Sequence, residues 1–209
     1  MNNVLAIGFN HSDFNWSEIT PIGITHKDYS NEIENEINKA IDSSVDIIAF
    51  NVETDLVSAS SLIGAFLSVD AASLIGKSSA GNDDKWIKDV AGLRDSLRVS
   101  RHNKSDIKEL ISQTIGEKFF CAIAAFDLAA TRKTKIILVG PGAIALGFLA
   151  IRSNSKLKES LLVANAPQTP ALIEAIKYMS CKVILSIEKN NSDLAQLALA
   201  VTALKTSEL

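Results

Sequence analysis

The C-terminal third of the sequence alternates two hydrophobic periods, and that alternation limits what the chain can fold into. Lys135-Ile136-Ile137-Leu138-Val139 is a continuous apolar run ending at Gly140. Leu161-Leu162-Val163-Ala164 and the stretch Lys182 to Ile187 are two more. Short unbroken apolar runs read as strands buried on both faces, the signature of a parallel sheet. Helical spacing fills the gaps. Ala143 to Arg152 follows the first strand. Thr169 is an N-cap with Pro170 at the first helical position, ahead of the apolar face Leu172, Ile173 and Ile176. Ser192 caps a last helix with Asp193 in its first turn and Leu194, Leu197, Val201 and Leu204 on one face.

The N-terminal half repeats this logic. Val4 to Phe9 and Val45 to Phe50 read as strands, and Thr20 to Thr25 as a short extended segment. Ser30 caps a helix carrying Ile33, Ile37 and Ile41, and residues 54–76 read as helical. Ser78 to Asp84 has loop composition, residues 96–101 read as a strand, and Ser105 caps a helical region through Ala130 interrupted near Gly116. The expected fold class is α/β, a three-layer α/β/α arrangement with a mainly parallel Rossmann-like sheet. With 209 residues and 47% hydrophobic content, residues 1–209 read as a single domain.

Charge and composition exclude several functions. A net charge of −3 with 6% aromatic residues offers no footprint for nucleic acid. Cys121 and Cys181 form no C-x-x-C pair, which argues against a metal cage and suits a reducing cytoplasm. Met1-Asn2-Asn3 lacks the basic flank of a signal peptide. The longest apolar stretch, Ile136 to Ile151, is interrupted by Gly140-Pro141-Gly142 and is too short for a bilayer. The expected protein is cytoplasmic, with no membrane partner, metal or cofactor.

Ligands in such sheets bind beyond the carboxyl ends of the strands. That rule puts Asn51, Gly140-Pro141-Gly142, Asn165-Ala166-Pro167 and Glu188 to Ser192 on one rim. The Gly140 turn could cradle a phosphate, although neither G-x-G-x-x-G nor G-K-[ST] follows, and on pattern alone a plain strand-to-helix turn is the better account of it. Lys189-Asn190-Asn191-Ser192 could present N–H groups to an anion, or simply cap a helix. His11 and Asp13 follow the first strand, where a histidine beside a carboxylate suits acid–base chemistry; the alternative is a solvated histidine. His26 and His102 read as sitting in polar loops, and Lys177, Glu32, Glu34 and Glu36 as solvated helix positions.

The order of these turns resembles the precorrin-8X methylmutase family. Ser12-Asp13-Phe14-Asn15-Trp16 is similar to the stretch after that family's catalytic histidine, and the strand ending at Asn51 to one ending there in Asp. Ala124 to Ala129 is similar to the helix before its central strand. Gly140 to Leu146 sits where the family has Gly-Asn-Ala-Pro-Thr-Ala-Leu, Pro167 and Lys177 keep the spacing of a later turn, and Lys189 to Ser192 sits at Lys-Gly-Gly-Ser. The family's Thr-Arg-Ser is replaced near Phe120-Cys121, and residues of about 60–95 look like an insertion.

The resemblance implies an isomerase of cobalamin biosynthesis that moves a methyl group from C11 to C12 of a corrin precursor. His11 would be the acid and Asp13 its orienter. Asn51, Gly140, Gly142, Pro167, Lys177, Lys189 and Ser192 would hold a tetrapyrrole polycarboxylate, in a homodimer. Loss of the Thr-Arg pair motivates an alternative, a non-catalytic relative that carries or stores a corrin or other tetrapyrrole. A further alternative is an unrelated nucleotide-binding α/β protein using the Gly140 turn.

Overall fold

The computed structural model describes residues 3–9, 24–77, 83–187 and 192–207. Six parallel strands form one sheet in the order β2-β1-β3-β4-β5-β6. They are β1 (Asn3–Ile7), β2 (Ile24–Lys27), β3 (Val45–Asn51), β4 (Lys135–Val139), β5 (Leu161–Asn165) and β6 (Lys182–Leu185). The helices are α1 (Ile33–Asp42), α2 (Leu56–Gly64), α3 (Ala71–Ile75), α4 (Asp83–His102), α5 (Ile107–Thr114), α6 (Cys121–Thr131), α7 (Gly140–Ser153), α8 (Pro170–Met179) and α9 (Asp193–Ser207).

Strand pleating divides the core in two. Leu5, Ile7, Ile48, Phe50, Ile136 and Leu138 face one layer, built from α1, α2 and α5 to α8. Val4, Ala6, Ile47, Ala49, Ile137 and Val139 face the other, where α9 packs Leu194, Leu197, Val201 and Leu204. Helices on both faces of a parallel sheet make the expected α/β/α architecture. The anticipated face of α9 is fully used, and burying a leucine there contributes about 1.5–3 kcal/mol. Within the first layer α7 is buried from Gly142 to Ile151, as befits a helix that is apolar all round. Among the described residues, no helix is long and apolar enough to cross a membrane.

Several local expectations need correction. Residues 96–101 are not a strand but part of the 20-residue helix α4. Its buried face is Leu93, Leu97 and Ser100, at helical spacing, and the Ser100 hydroxyl lies 2.6 Å from that of Ser61. Asp83 and Asp84 open this helix rather than close a loop. Asp106, not Ser105, caps α5, its carboxylate accepting from Glu109 N at 3.0 Å. Glu32 holds the cap position of α1, while Ser30 Oγ accepts from Glu32 N. The helical region from Asp106 breaks at Gly116, where φ is +113°.

The structure adds two caps that the sequence reading did not name. Asp55 and Asp70, each three residues before a serine, accept the serine N–H at 2.8 and 3.0 Å. These caps set the starts of α2 and α3.

Candidate functional site

A cavity of about 750 Å³ opens beyond the carboxyl ends of β4, β5 and β6. The starts of three helices converge on it: Gly140 and Pro141 of α7, Thr169 and Pro170 at α8, and Asp193 of α9. Helix N-termini present unpaired N–H groups and partial positive charge, so such convergence favours an anionic ligand. Pro141 and Pro170 each remove one donor, so the donors at these starts are the neighbouring N–H groups.

The β4-to-α7 turn is as tight as glycine allows. Gly140 has φ +79°, and a Cβ there would lie 3.0 Å from Asp193 Oδ2 and 3.2 Å from Asn51 Oδ1. A Cβ on Gly142 would meet the Val52 carbonyl oxygen at 2.5 Å. The two glycines therefore let the α7 start press against the end of β3. Both belong to the expected rim; Gly140 lines the cavity, and Gly142 packs behind it.

Asn51 ties these pieces together. Its Nδ2 donates to Asp193 Oδ2 at 3.2 Å, while its main-chain oxygen accepts from the Tyr29 hydroxyl at 2.8 Å. Asn51 is buried, and its Oδ1 accepts no hydrogen bond among the described residues. Burial pushes the Tyr29 phenol well above its ordinary range, with the nearby Cys121 adding to the effect. Tyr29 is thus a neutral donor that fixes the end of β3.

Asn165 clamps the next connection. Its Nδ2 donates to the Ile187 carbonyl at 3.1 Å, and its Oδ1 accepts from Ile187 N at 3.0 Å. Asn165, Ala166 and Pro167 all line the cavity, as expected of that rim. Ser192 Oγ accepts from Ala195 N at 3.3 Å and so caps α9. Lys177 lies in the last turn of α8, ion-paired with Glu174 at 2.6 Å, and is not among the lining residues. His11, Asp13 and Lys189 lie outside the described residues.

The outer wall escaped the sequence reading. Trp86, at the start of α4, donates its indole N–H to the Gly76 carbonyl at 2.9 Å and lines the cavity with Ile75 and Lys77. Asp193 was legible only as an acid in the first turn of the last helix, although it lines the cavity. A second hollow of about 500 Å³ lies beyond β1 to β3, lined in part by His26, Asp28, Glu53 and Lys118. His26 is not in a polar loop but in β2; its side chain is 7% exposed, with Nε2 3.6 Å from Asp28. Among the described residues, no group of three or more histidine, cysteine and acidic side chains could hold a metal ion.

Known proteins sharpen this picture. The phosphoribosyltransferase family model matches residues 52–206. A nicotinate-nucleotide–dimethylbenzimidazole phosphoribosyltransferase of Streptomyces avermitilis is 28% identical over 127 residues, 60% of this chain. The chain spans about a third of that relative's length, 34% of it. Two crystal structures from Thermus thermophilus share the fold. CobT superposes with a TM-score of 0.76 at 9% identity, covering 99% of this chain and 82% of that one. A nicotinate-nucleotide–dimethylbenzimidazole phosphoribosyltransferase superposes with 0.72 at 10% identity, covering 99% and 81%.

These matches overturn the methylmutase resemblance. With it go the isomerase class, the histidine-acid methyl shift and the tetrapyrrole partner; the relative's name specifies a nicotinate nucleotide and dimethylbenzimidazole instead. Neither the tetrapyrrole carrier nor the unrelated nucleotide-binding protein finds support. The physical reason is that glycine and asparagine turns after buried strands recur in any doubly wound sheet, so their order reports fold rather than chemistry. The family match covers more than half of the sequence, and the chain belongs to the phosphoribosyltransferase family.

Proposed function

We propose that this chain binds a nicotinate-type mononucleotide in the cavity at the carboxyl ends of β4 to β6 and transfers its phosphoribosyl group to a ring nitrogen of a benzimidazole base. One observation carries the reading: every cavity-lining residue, from Leu56 to Gln196, falls within the span 52–206 that matches the phosphoribosyltransferase family.

The chemistry fits the lining. In a nicotinate nucleotide the ring nitrogen is cationic, so nicotinate departs with the electron pair of the C1′–N bond. The acceptor's ring nitrogen forms the new bond to C1′, and its other nitrogen must lose a proton. Asp193 is the carboxylate at the sheet end of the cavity, and Asn51 holds it by a hydrogen bond. It is the residue suited to take that proton. N–H groups at the α7 and α8 starts suit the phosphate.

The test is incubation with nicotinate mononucleotide and 5,6-dimethylbenzimidazole, with chromatography of free nicotinate and the new base ribonucleotide. Equimolar formation of both is expected. Asp193→Asn should slow it by about 100-fold or more, the scale of a lost general base. No product from the wild type removes the transfer reaction; an undiminished rate in Asp193→Asn removes the role of Asp193.

A further inference from the structure

The two halves of α4 are anchored very differently. Its second half carries every buried residue of the helix, Leu93, Leu97 and Ser100. The two leucines join Leu74 and Ala171 in a small core of their own, apart from the two cores that flank the sheet. The Ser100 hydroxyl meets that of Ser61 on α2, and Arg101 Nη2 donates to the carbonyls of Leu67 and Val69 at 3.1 and 2.6 Å. The first half, from Asp83 to Gly92, has no buried residue. Val90 touches the small core while only partly buried, and Ile87 is 57% exposed. Yet this half carries cavity wall: Lys85, Trp86 and Asp89 all line the cavity. Its polar contacts there are with the end of α3, where the Trp86 indole N–H meets the Gly76 carbonyl and Asp83 pairs with Lys77 at 3.6 Å. Gly92 stands between the halves. A glycine inside a helix weakens it, so bending or unwinding costs least there.

Resting on the proposed nucleotide site, we infer that the first half of α4 is a lid, hinged at Gly92, that opens to admit the nucleotide and closes over it. A segment held by few buried contacts opens locally at a lower free energy than one packed in a core. The second half, pinned through Leu93, Leu97, Ser100 and Arg101, is the fixed end of the lever. Because the moving half is part of the cavity wall, its opening widens the mouth and its closure excludes water from the transfer step. A bound nucleotide gains contacts with the closed lid alone, so binding shifts the lid toward closure.

Amide hydrogen exchange along α4, corrected for intrinsic rates, tests this without turnover. Residues 87–92 report on the lid, because their N–H groups have acceptors one turn back in the helix, unlike those of the first turn. In the ligand-free chain they should exchange at least about tenfold faster than residues 97–101. Gly92→Ala should slow them by about two- to fivefold, the scale on which alanine outlasts glycine inside a helix, and slow residues 97–101 less. Nicotinate mononucleotide, its binding followed by calorimetry, should slow residues 87–92 by about fivefold or more, again by a larger factor than residues 97–101. Equal exchange in both halves, or a gradient that Gly92→Ala leaves unchanged, overturns the hinge. Heat of binding with unchanged exchange in residues 87–92 overturns closure, and the inference with it. No heat removes the proposed nucleotide, and the ligand-free gradient with its response to Gly92→Ala then decides the lid alone.

Discussion

Replacing Gly140 with alanine perturbs stability and site through one methyl group. The residue has φ +79°, a region that costs an L-amino acid about 1–2 kcal/mol. The new Cβ would also stand 3.0 Å from Asp193 Oδ2 and 3.2 Å from Asn51 Oδ1, closer than ordinary contact, so both side chains must yield by a few tenths of an ångström. Reduced freedom of the unfolded chain returns about 0.4–1 kcal/mol. The net expectation is a loss of about 1–2 kcal/mol, or a fall of about 2–8 °C in Tm for a chain of this size. The Asn51–Asp193 hydrogen bond is already 3.2 Å long, at the far end of the useful range, so the same displacement should weaken nucleotide binding. Gly92→Ala is the matched control. Gly92 lies within α4 with ordinary backbone angles, and its added methyl would meet only Val57 Cγ1 at 3.8 Å. That substitution should stabilise by roughly 0.5–1 kcal/mol. Urea unfolding of both variants decides the matter: shifts of the same sign, or a Gly140→Ala change below about 0.5 kcal/mol, would refute the backbone reasoning.

Two further outcomes follow from packing and ionisation. Phe50 and Phe126 meet edge to face at 4.6 Å in the fully buried core, so Phe126→Ala should cost about 3–5 kcal/mol by urea unfolding; a loss under about 1 kcal/mol would show that the site collapses freely. Burial pushes the Cys181 thiol from its ordinary 9.0 up to about 11, against a smaller opposing pull from Lys158. Folding therefore favours the protonated thiol, a contribution fully present below pH 9 and lost as pH rises toward 11. Labelling of Cys181 by a maleimide, in Cys121→Ser, should stay slow at pH 8 and accelerate toward pH 11; fast reaction at pH 8 would count against the burial effect.

The fold was readable because buried parallel strands leave unbroken apolar runs, and each run from Val45 onward became a strand. The rim was readable for the same reason: once the strands are known, their carboxyl ends are known, and Asn51, Gly140, Asn165 and Pro167 follow. Chemistry was not readable from those turns. A glycine needed for positive φ and an asparagine needed to bridge two chains look alike whatever ligand they surround. Residues 96–101 misled because Leu97 and Val99 mimic strand alternation, whereas Leu97 shares the buried face of α4 with Leu93, one helical turn away. Trp86 had no periodic neighbour to mark it, and its relevance appears only when α3 and α4 fold over the α8 start.

The clamp between Asn165 and Ile187 has a consequence for how the site keeps its dimensions. A side-chain amide carries the same donor and acceptor as a peptide unit, so Asn165 lays one more rung across the strands just past its pairing with Leu185. Ile187 is thereby held to β5, an inner strand, as well as following the short strand β6 at the margin. The rim at Ile187 takes its place from an inner strand, and fraying of the margin need not shift the cavity lining there.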